Sequence, residues 1–195
     1  NINLLILVTA LFAIISFFAF TAGSIFLQME VQREMQKYTT SITTMLAAPT
    51  LCDSKPFTIP SRFTSFGKDI YYTLHIGHVN DPQTSGKRVI FAVSDIRKPD
   101  TLIAASSLST QAHVRLYSPD GGSFQLILED DTLQLDPQQV PPLNAFFVVK
   151  SVKSSQPYLY IFPCAITNTG DTCTQAKASV NSILSSLSPS EAFVC

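Results

Sequence analysis

The amino-acid sequence predicts an α+β protein, in which a long N-terminal apolar α-helix is followed by an antiparallel β-sandwich head with a short C-terminal helix. No charged side chain precedes Glu30, and hydrophobic residues then recur at helical spacing as far as Met45. Short runs of alternating apolar residues follow, separated by turn residues, which is typical of an antiparallel sandwich. The chain has 195 residues and a formal net charge of -1, so its charge does not indicate a nucleic-acid partner.

The N-terminal helix is predicted to have two halves within residues 1–47. The stretch up to Leu27 is almost entirely apolar, and a bilayer core needs about 20 such residues in a helix. The second half carries apolar residues at spacings of four and three, which places them on one face. This stripe consists of Val31, Met35, Tyr38, Ile42 and Met45. We expect the stripe to seat the head on its own helix.

Two partners for this stripe are open from the sequence. One is the strand face that carries Ile70, Tyr72, Leu74 and Ile76. The other is the predicted C-terminal helix, in which Val180, Ile183, Leu184 and Leu187 have helical spacing before Pro189. Between helix and head, residues 48–68 contain three prolines and are predicted to form an extended linker. The head is then predicted over residues 69–195.

The N-terminus has the composition of a processed end. The chain opens on Asn1 with an apolar segment that no basic residue precedes, whereas a secretory signal has a basic region and is removed together with its apolar stretch. One expectation is therefore that a short leader is cut off in front of Asn1 while the apolar stretch is kept. The alternative is that the sequence begins within a longer chain.

Four cysteines lie beyond the apolar segment, which predicts two disulfides in an oxidising compartment. Four cysteines permit three pairings, and four separate buried thiols are the alternative. Cys164 and Cys173 bracket a turn and are predicted to form one bridge. Cys52 and Cys195 are then predicted to form the other, which ties the C-terminus to the junction of helix and head. No Cys-x-x-Cys pair indicates zinc.

Residues with catalytic or metal-binding chemistry form no recognisable motif in this sequence. His75 and His78 are three apart on a predicted strand, so they should point to opposite faces. The acidic run Glu129–Asp131 has the oxygen ligands that calcium prefers, but a solvated turn between strands is the favoured interpretation. No catalytic residue, cofactor or metal site is therefore predicted, and a membrane-anchored hydrolase is disfavoured.

The segment from Asn1 to Met45 resembles the N-terminal helix of the type IV pilin superfamily. It is apolar through Leu27, amphipathic to Met45, and followed by the head after Pro49. Bacterial members usually begin with Phe or Met and have Glu at the fifth mature position, whereas this chain has Asn1 and Leu5. In these respects the chain is more similar to archaeal type IV pilins and archaellin-like subunits.

The resemblance implies a structural subunit of an extracellular filament, with the head exposed for adhesion to surfaces. It implies that the subunit is inserted in the cytoplasmic membrane before assembly, and that its partners are copies of itself, a prepilin peptidase, an assembly ATPase and a membrane platform protein. The residues expected to pack between subunits are Ile2, Leu5, Val8, Phe12, Ile15, Phe18, Ala22, Ile25 and Leu27. The alternative is a single-pass, receptor-like membrane protein whose β-sandwich binds a ligand.

Overall fold

The computed structural model describes residues 2–65, 67–120, 123–129, 131–153, 155–167, 170–174 and Ser182. Its first element is one uninterrupted helix, α1, at Ile2–Ala47, which has 46 residues. The helix contains no proline, and its last turn includes a hydrogen bond of 3.1 Å from the Ala48 amide to the Thr44 carbonyl. Pro49 then ends it, because the residue before a proline is disfavoured in the α conformation.

Thirteen strands follow the helix in the described part of the chain. In chain order they are β1 (Cys52–Thr58), β2 (Phe63–Ser65), β3 (Lys68–Ile70), β4 (Tyr72–Asn80), β5 (Lys87–Asp95), β6 (Lys98–Thr110), β7 (His113–Asp120), β8 (Ser123–Ile127), β9 (Thr132–Leu135), β10 (Ala145–Lys153), β11 (Gln156–Cys164), β12 (Ile166–Thr167) and β13 (Gly170–Asp171). The fold class is therefore α+β, as the sequence predicts.

Two main sheets carry most of these strands. One has five strands in the order β1-β10-β11-β7-β8, and the other has four in the order β6-β5-β4-β9. All pairings inside them are antiparallel except that of β11 with β7. The head is therefore mostly antiparallel, as predicted, with β11 and β7 as its one parallel pair among the described strands of these two sheets. After β8 the chain crosses to the other sheet and forms β9. It then returns to the first sheet as β10 and β11, and β11 pairs with β7 in the same direction.

The stretch that the sequence suggests as a linker contains two of these strands. Strand β1 forms an edge of the five-stranded sheet, and β2 pairs with β3 in a small hairpin. The prolines that indicate a linker are compatible with this arrangement, since an edge strand needs no amide hydrogen on its free side. Pro56 lies within β1.

One hydrophobic core lies between the inner faces of the two sheets. Alternating residues of β4 and β5 from one sheet and of β10 and β11 from the other belong to the same buried cluster. The rings of Phe91 and Phe146 join the sheets directly, with centroids 5.8 Å apart. The head is thus a sandwich of two sheets that face each other.

The second half of α1 closes one side of this sandwich. All five stripe residues are buried in the core. The Tyr38 ring contacts Phe57 of β1, Phe91 of β5 and Phe146 of β10, with centroids 5.7, 6.0 and 5.3 Å away. The helix therefore reaches both sheets, at the side where their edge strands β1 and β6 lie.

Hydrogen bonds tie the helix to each of these edge strands. On one side the Tyr38 hydroxyl donates to the Thr58 carbonyl over 3.1 Å, and the Lys55 ammonium donates to the Ser41 hydroxyl over 2.7 Å. On the other side the Thr39 and Ser106 hydroxyl oxygens are 3.2 Å apart. The helix packs mainly on β6 and β2, while the proposed counterpart strand β4 lies inside its sheet and shares the same core.

The C-terminal part of the head is described only in short pieces. Residues 172–174 are helical, as is Ser182. The residues from which the C-terminal helix was predicted, Val180, Ile183, Leu184 and Leu187, lie outside the described residues.

Replacing Ile42 by Ala should lower the free energy of unfolding by about 2–5 kcal/mol, because a fully buried branched side chain would leave a cavity. Ile25→Ala is the matched control, since Ile25 is on the same helix but half of its surface is exposed. That control should change stability by no more than about 0.5 kcal/mol. Thermal and denaturant unfolding of both variants in detergent would measure the difference, and equal stabilities would show that the stripe does not belong to the core of the head.

Candidate assembly surface

The first half of α1 is a rod of exposed apolar side chains. Of the residues predicted to pack between subunits, five have exposed side chains, and their exposed fractions run from 49% to 73%. These are Val8, Phe12, Ile15, Phe18 and Ile25. Ala22 is half-buried, and Leu27 is half-buried against the core of its own head. The side chains of Ile2 and Leu5 lie outside the described residues.

Exposed apolar surface of this extent requires a cover. Between Ile6 and Ala19 the exposed side chains lie on all sides of the helix and are mostly apolar, so this segment has no polar face. Soluble monomers rarely expose contiguous apolar patches beyond a few hundred square ångströms. The described residues contain one helix that is long and apolar enough to cross a membrane. Lipid and other apolar helices are the two surroundings that suit this rod.

The head begins to contact the helix at Gly23. Gly23 is buried, whereas Thr21 and Ala22 before it are half-exposed. The Ser65 hydroxyl in the β2–β3 hairpin donates a hydrogen bond of 3.1 Å to the Gly23 carbonyl. At 1.5 Å per residue the helix from Ile2 to Ala22 is roughly 30 Å long, which equals the hydrocarbon thickness of a bilayer. The point where the head begins thus divides the helix at a membrane-spanning length.

The other end of the helix is held by a buried cation that the sequence analysis missed. Lys150 in β10 is only 2% exposed. Its ammonium donates hydrogen bonds to the carbonyls of Met45, Leu46 and Ala48, the first two over 3.0 and 3.1 Å. These carbonyls lie at the C-terminal end of α1, where backbone acceptors lack intrahelical partners and the helix dipole is negative.

One feature of the sequence indicates that Lys150 is buried. It is the first charged residue in the apolar run that begins at Ala145, and period-two alternation places it on the same face of β10 as Phe146 and Val148. A lysine at an inward position needs acceptors. The last turn of α1 contains no basic residue of its own. Only the tertiary fold brings these two facts together.

Three of the four cysteines lie among the described residues, and all three are disulfide-bonded. The predicted bridge between Cys164 and Cys173 is present. Cys52 is also disulfide-bonded, and its predicted partner Cys195 lies outside the described residues. The Asn144 side chain also holds the segment after β11, since it donates to the Ile166 carbonyl over 2.7 Å and accepts from the Ile166 amide over 2.9 Å.

The histidines and acidic residues take structural positions. His75 faces outward and has its Nε2 atom 2.9 Å from the Ser94 hydroxyl, while His78 is buried on the opposite face, as predicted. Burial lowers the pKa of His75 below its usual value. Glu129 forms an ion pair with Lys87 at the head surface. Within the described residues no group of three or more His, Cys, Asp or Glu side chains is placed to hold a metal ion.

The β4–β5 turn is fastened by a second carboxylate, Asp81. It accepts hydrogen bonds from the Ser109 hydroxyl, the Gln83 amide and the Arg88 guanidinium over 2.5, 3.0 and 3.0 Å. The Ser109 hydroxyl is the largest influence that holds the pKa of Asp81 below its usual value, followed by the Gln83 amide. This network stabilises the turn between β4 and β5.

Comparisons with protein-family models, with curated proteins and with solved structures found no match to this chain. We therefore infer the function from the geometry of the helix and of its junction with the head.

Replacing Lys150 by Met should destabilise the junction by about 3 kcal/mol, because three buried carbonyls would lose a charged donor. Hydrogen exchange at the amides of residues 44–48 should accelerate along with this loss. Lys55→Met is the control, since Lys55 is an exposed cation at the same junction and its hydrogen bond to Ser41 should contribute no more than about 1 kcal/mol. If the two variants unfold alike, Lys150 does not hold the end of the helix.

Peptide mapping without reduction should recover Cys52 linked to Cys195 as well as Cys164 linked to Cys173. In the chain-entropy description the longer bridge contributes about 4–5 kcal/mol, so Cys195→Ser should lower the melting temperature markedly. Recovery of a peptide that joins Cys52 to Cys164 would contradict this pairing.

Proposed function

We propose that this chain is a structural subunit of an extracellular type IV pilus-like filament, which assembles through its N-terminal helix and exposes its head for adhesion to surfaces. The observation that carries the proposal is a single uninterrupted helix whose first half is an exposed apolar rod and whose second half belongs to the core of the head. The resemblance to archaeal type IV pilins supports the same assignment.

The rod has two successive covers in this proposal. Lipid covers it while the subunit is inserted in the cytoplasmic membrane, and the helices of other subunits cover it in the filament. The exchange costs little free energy, because the same apolar surface stays out of water in both states. Ala10, Ala13 and Ala19 lie on the rod and permit helices to approach closely.

The continuous helix favours a filament subunit over a membrane-anchored receptor. A receptor needs only a tether between its anchor and its binding domain. Here the anchor continues without a break through Gly23 into the core, and hydrogen bonds fix it to both edge strands and to Lys150. Such a rigid connection transmits the arrangement of packed helices to the heads, which a regular filament requires.

The subunit cannot leave the membrane unaided, so the proposal includes the machinery of this class of filament. A prepilin peptidase would expose the N-terminus of the rod, an assembly ATPase in the cytoplasm would supply the work of extraction, and a membrane platform protein would transmit it. The disulfide-bonded head would lie on the oxidising side of the membrane.

Phe18→Lys and Ile14→Asp should each abolish filaments. A charge at the centre of a bilayer costs about 2.5–3.5 kcal/mol on insertion scales, and in a filament it would recur in every subunit. Electron microscopy of cells that express each variant measures the outcome, and immunoblotting shows whether the subunit is still made.

The matched control is Thr84→Lys, which adds the same charge as Phe18→Lys at an exposed position in the β4–β5 turn of the head. It should leave filaments intact. Abundant normal filaments with Phe18→Lys would contradict a helical core. Membrane-bound wild-type protein without any filament would instead favour the receptor-like alternative.

A further inference from the structure

An open groove lies between the helix and strand β6, just beyond the point where the head begins. Its volume is about 890 Å³. The lining nearest the rod is mostly apolar, with Ile25, Phe26 and Met29 of the helix and Ile103 of β6. Gln28 interrupts it, and Gln32 and Gln36 line the groove further along the helix. More than 60% of the surface of Phe26 and Met29 is exposed, so the described part of the head leaves this side of the helix uncovered.

The polarity of the groove changes along the helix axis. Beyond Phe26 the next charged residues are Glu30 and Arg33, which also line the groove and are exposed. They follow Phe26 at roughly 6 and 10 Å along the axis, at 1.5 Å per residue. A molecule in the groove would therefore meet apolar surface at one end and one charge of each sign at the other.

The groove lies at the level of a membrane surface if the rod spans a bilayer. The segment that the head leaves free ends at Ala22 and has the length of the hydrocarbon core, about 30 Å. Ile25 and Phe26 then fall within the next turn of the helix, where the headgroup layer begins. The long side chains of Glu30 and Arg33 reach that layer from above.

We propose that this groove is a phospholipid seat, in which the upper part of a hydrocarbon chain lies against Ile25, Phe26 and Ile103 and a zwitterionic headgroup lies against Glu30 and Arg33. The proposal rests on the membrane-inserted state of the proposed function. Two features of the molecule select a lipid as the occupant. The groove continues the apolar surface of the membrane-spanning segment, and its paired charges complement a phosphate and an amine.

The chain contains no tryptophan, so a single introduced tryptophan reports its own surroundings without interference. The reporter is Phe26→Trp in the full-length protein, reconstituted in vesicles of phosphatidylcholine brominated either at the headgroup end or at the methyl end of its acyl chains. Bromine quenches tryptophan only on close approach. Phe18→Trp reports the surroundings of the membrane-spanning part of the rod, and Thr84→Trp reports those of an exposed turn of the head.

We expect Phe26→Trp to lose more fluorescence to bromine at the headgroup end than to bromine at the methyl end. Phe18→Trp lies roughly 6 Å below Ala22 along the helix and should be quenched in both vesicles, whereas Thr84→Trp should keep its fluorescence in both. Adding Glu30→Gln and Arg33→Gln to the Phe26→Trp protein should reduce the quenching by bromine at the headgroup end.

Three results would overturn the proposal, and they differ from a failure of the proposed function. Quenching of Phe18→Trp without quenching of Phe26→Trp would show that the rod spans the bilayer while the groove holds no lipid. A blue-shifted, unquenched Phe26→Trp emission that reverts on dilution in lipid would assign the groove to a second copy of the chain. Quenching that is unchanged in the charge-neutralised protein would refute headgroup recognition. An unquenched Phe18→Trp would instead contradict the membrane-inserted state itself.

Discussion

The packing of the helix stripe into the open side of the sandwich is the interaction on which the rest of the structure depends. Two facing sheets have exposed edges, and here the edges β1 and β6 leave a gap that neither sheet can close. Tyr38 fills it by contacting aromatic rings from three strands of both sheets. Without the helix, the inner faces of both sheets would meet water along this side. The second half of α1 is therefore part of the core of the head, and its helical conformation is stabilised by that packing.

The same helix serves two surroundings because its composition changes at the point where the head begins. Beyond Gly23 a narrow apolar stripe is sufficient, since one face packs on the sheets and the other faces water. Before Gly23 the described residues of the head do not cover the helix, and the exposed side chains around it are mostly apolar. Lipid and neighbouring helices remove this surface from water equally well. In the proposed filament, a subunit would therefore change surroundings without refolding, and the internal hydrogen bonds of its helix would stay intact.

The sequence is informative where the physics is local and much less so where it is not. The helix and its stripe were predictable because 3.6-residue periodicity is written into neighbouring positions. The role of Lys150 was not, since it joins residues more than 100 positions apart, and no local pattern in the helix end requires it. Strand β1 was hidden by Pro56, which is compatible with an edge strand but reads as a linker. The parallel pairing of β7 with β11 depends on the order in which the chain visits the two sheets, which strand patterns do not encode.

The attachments between helix and head are spread along the helix, and this has a mechanical consequence. Ser65 binds at Gly23, Ser106 at Thr39, and Lys150 at the last carbonyls. A pull on the rod along its axis loads all of these contacts and the buried stripe together, so they would have to shear at once instead of opening one after another. Under such a load we expect the helix and the head to move together. In a filament of packed helices, the rotation and rise of each helix would be passed directly to its head, and the order of the outer surface would follow from the order of the core.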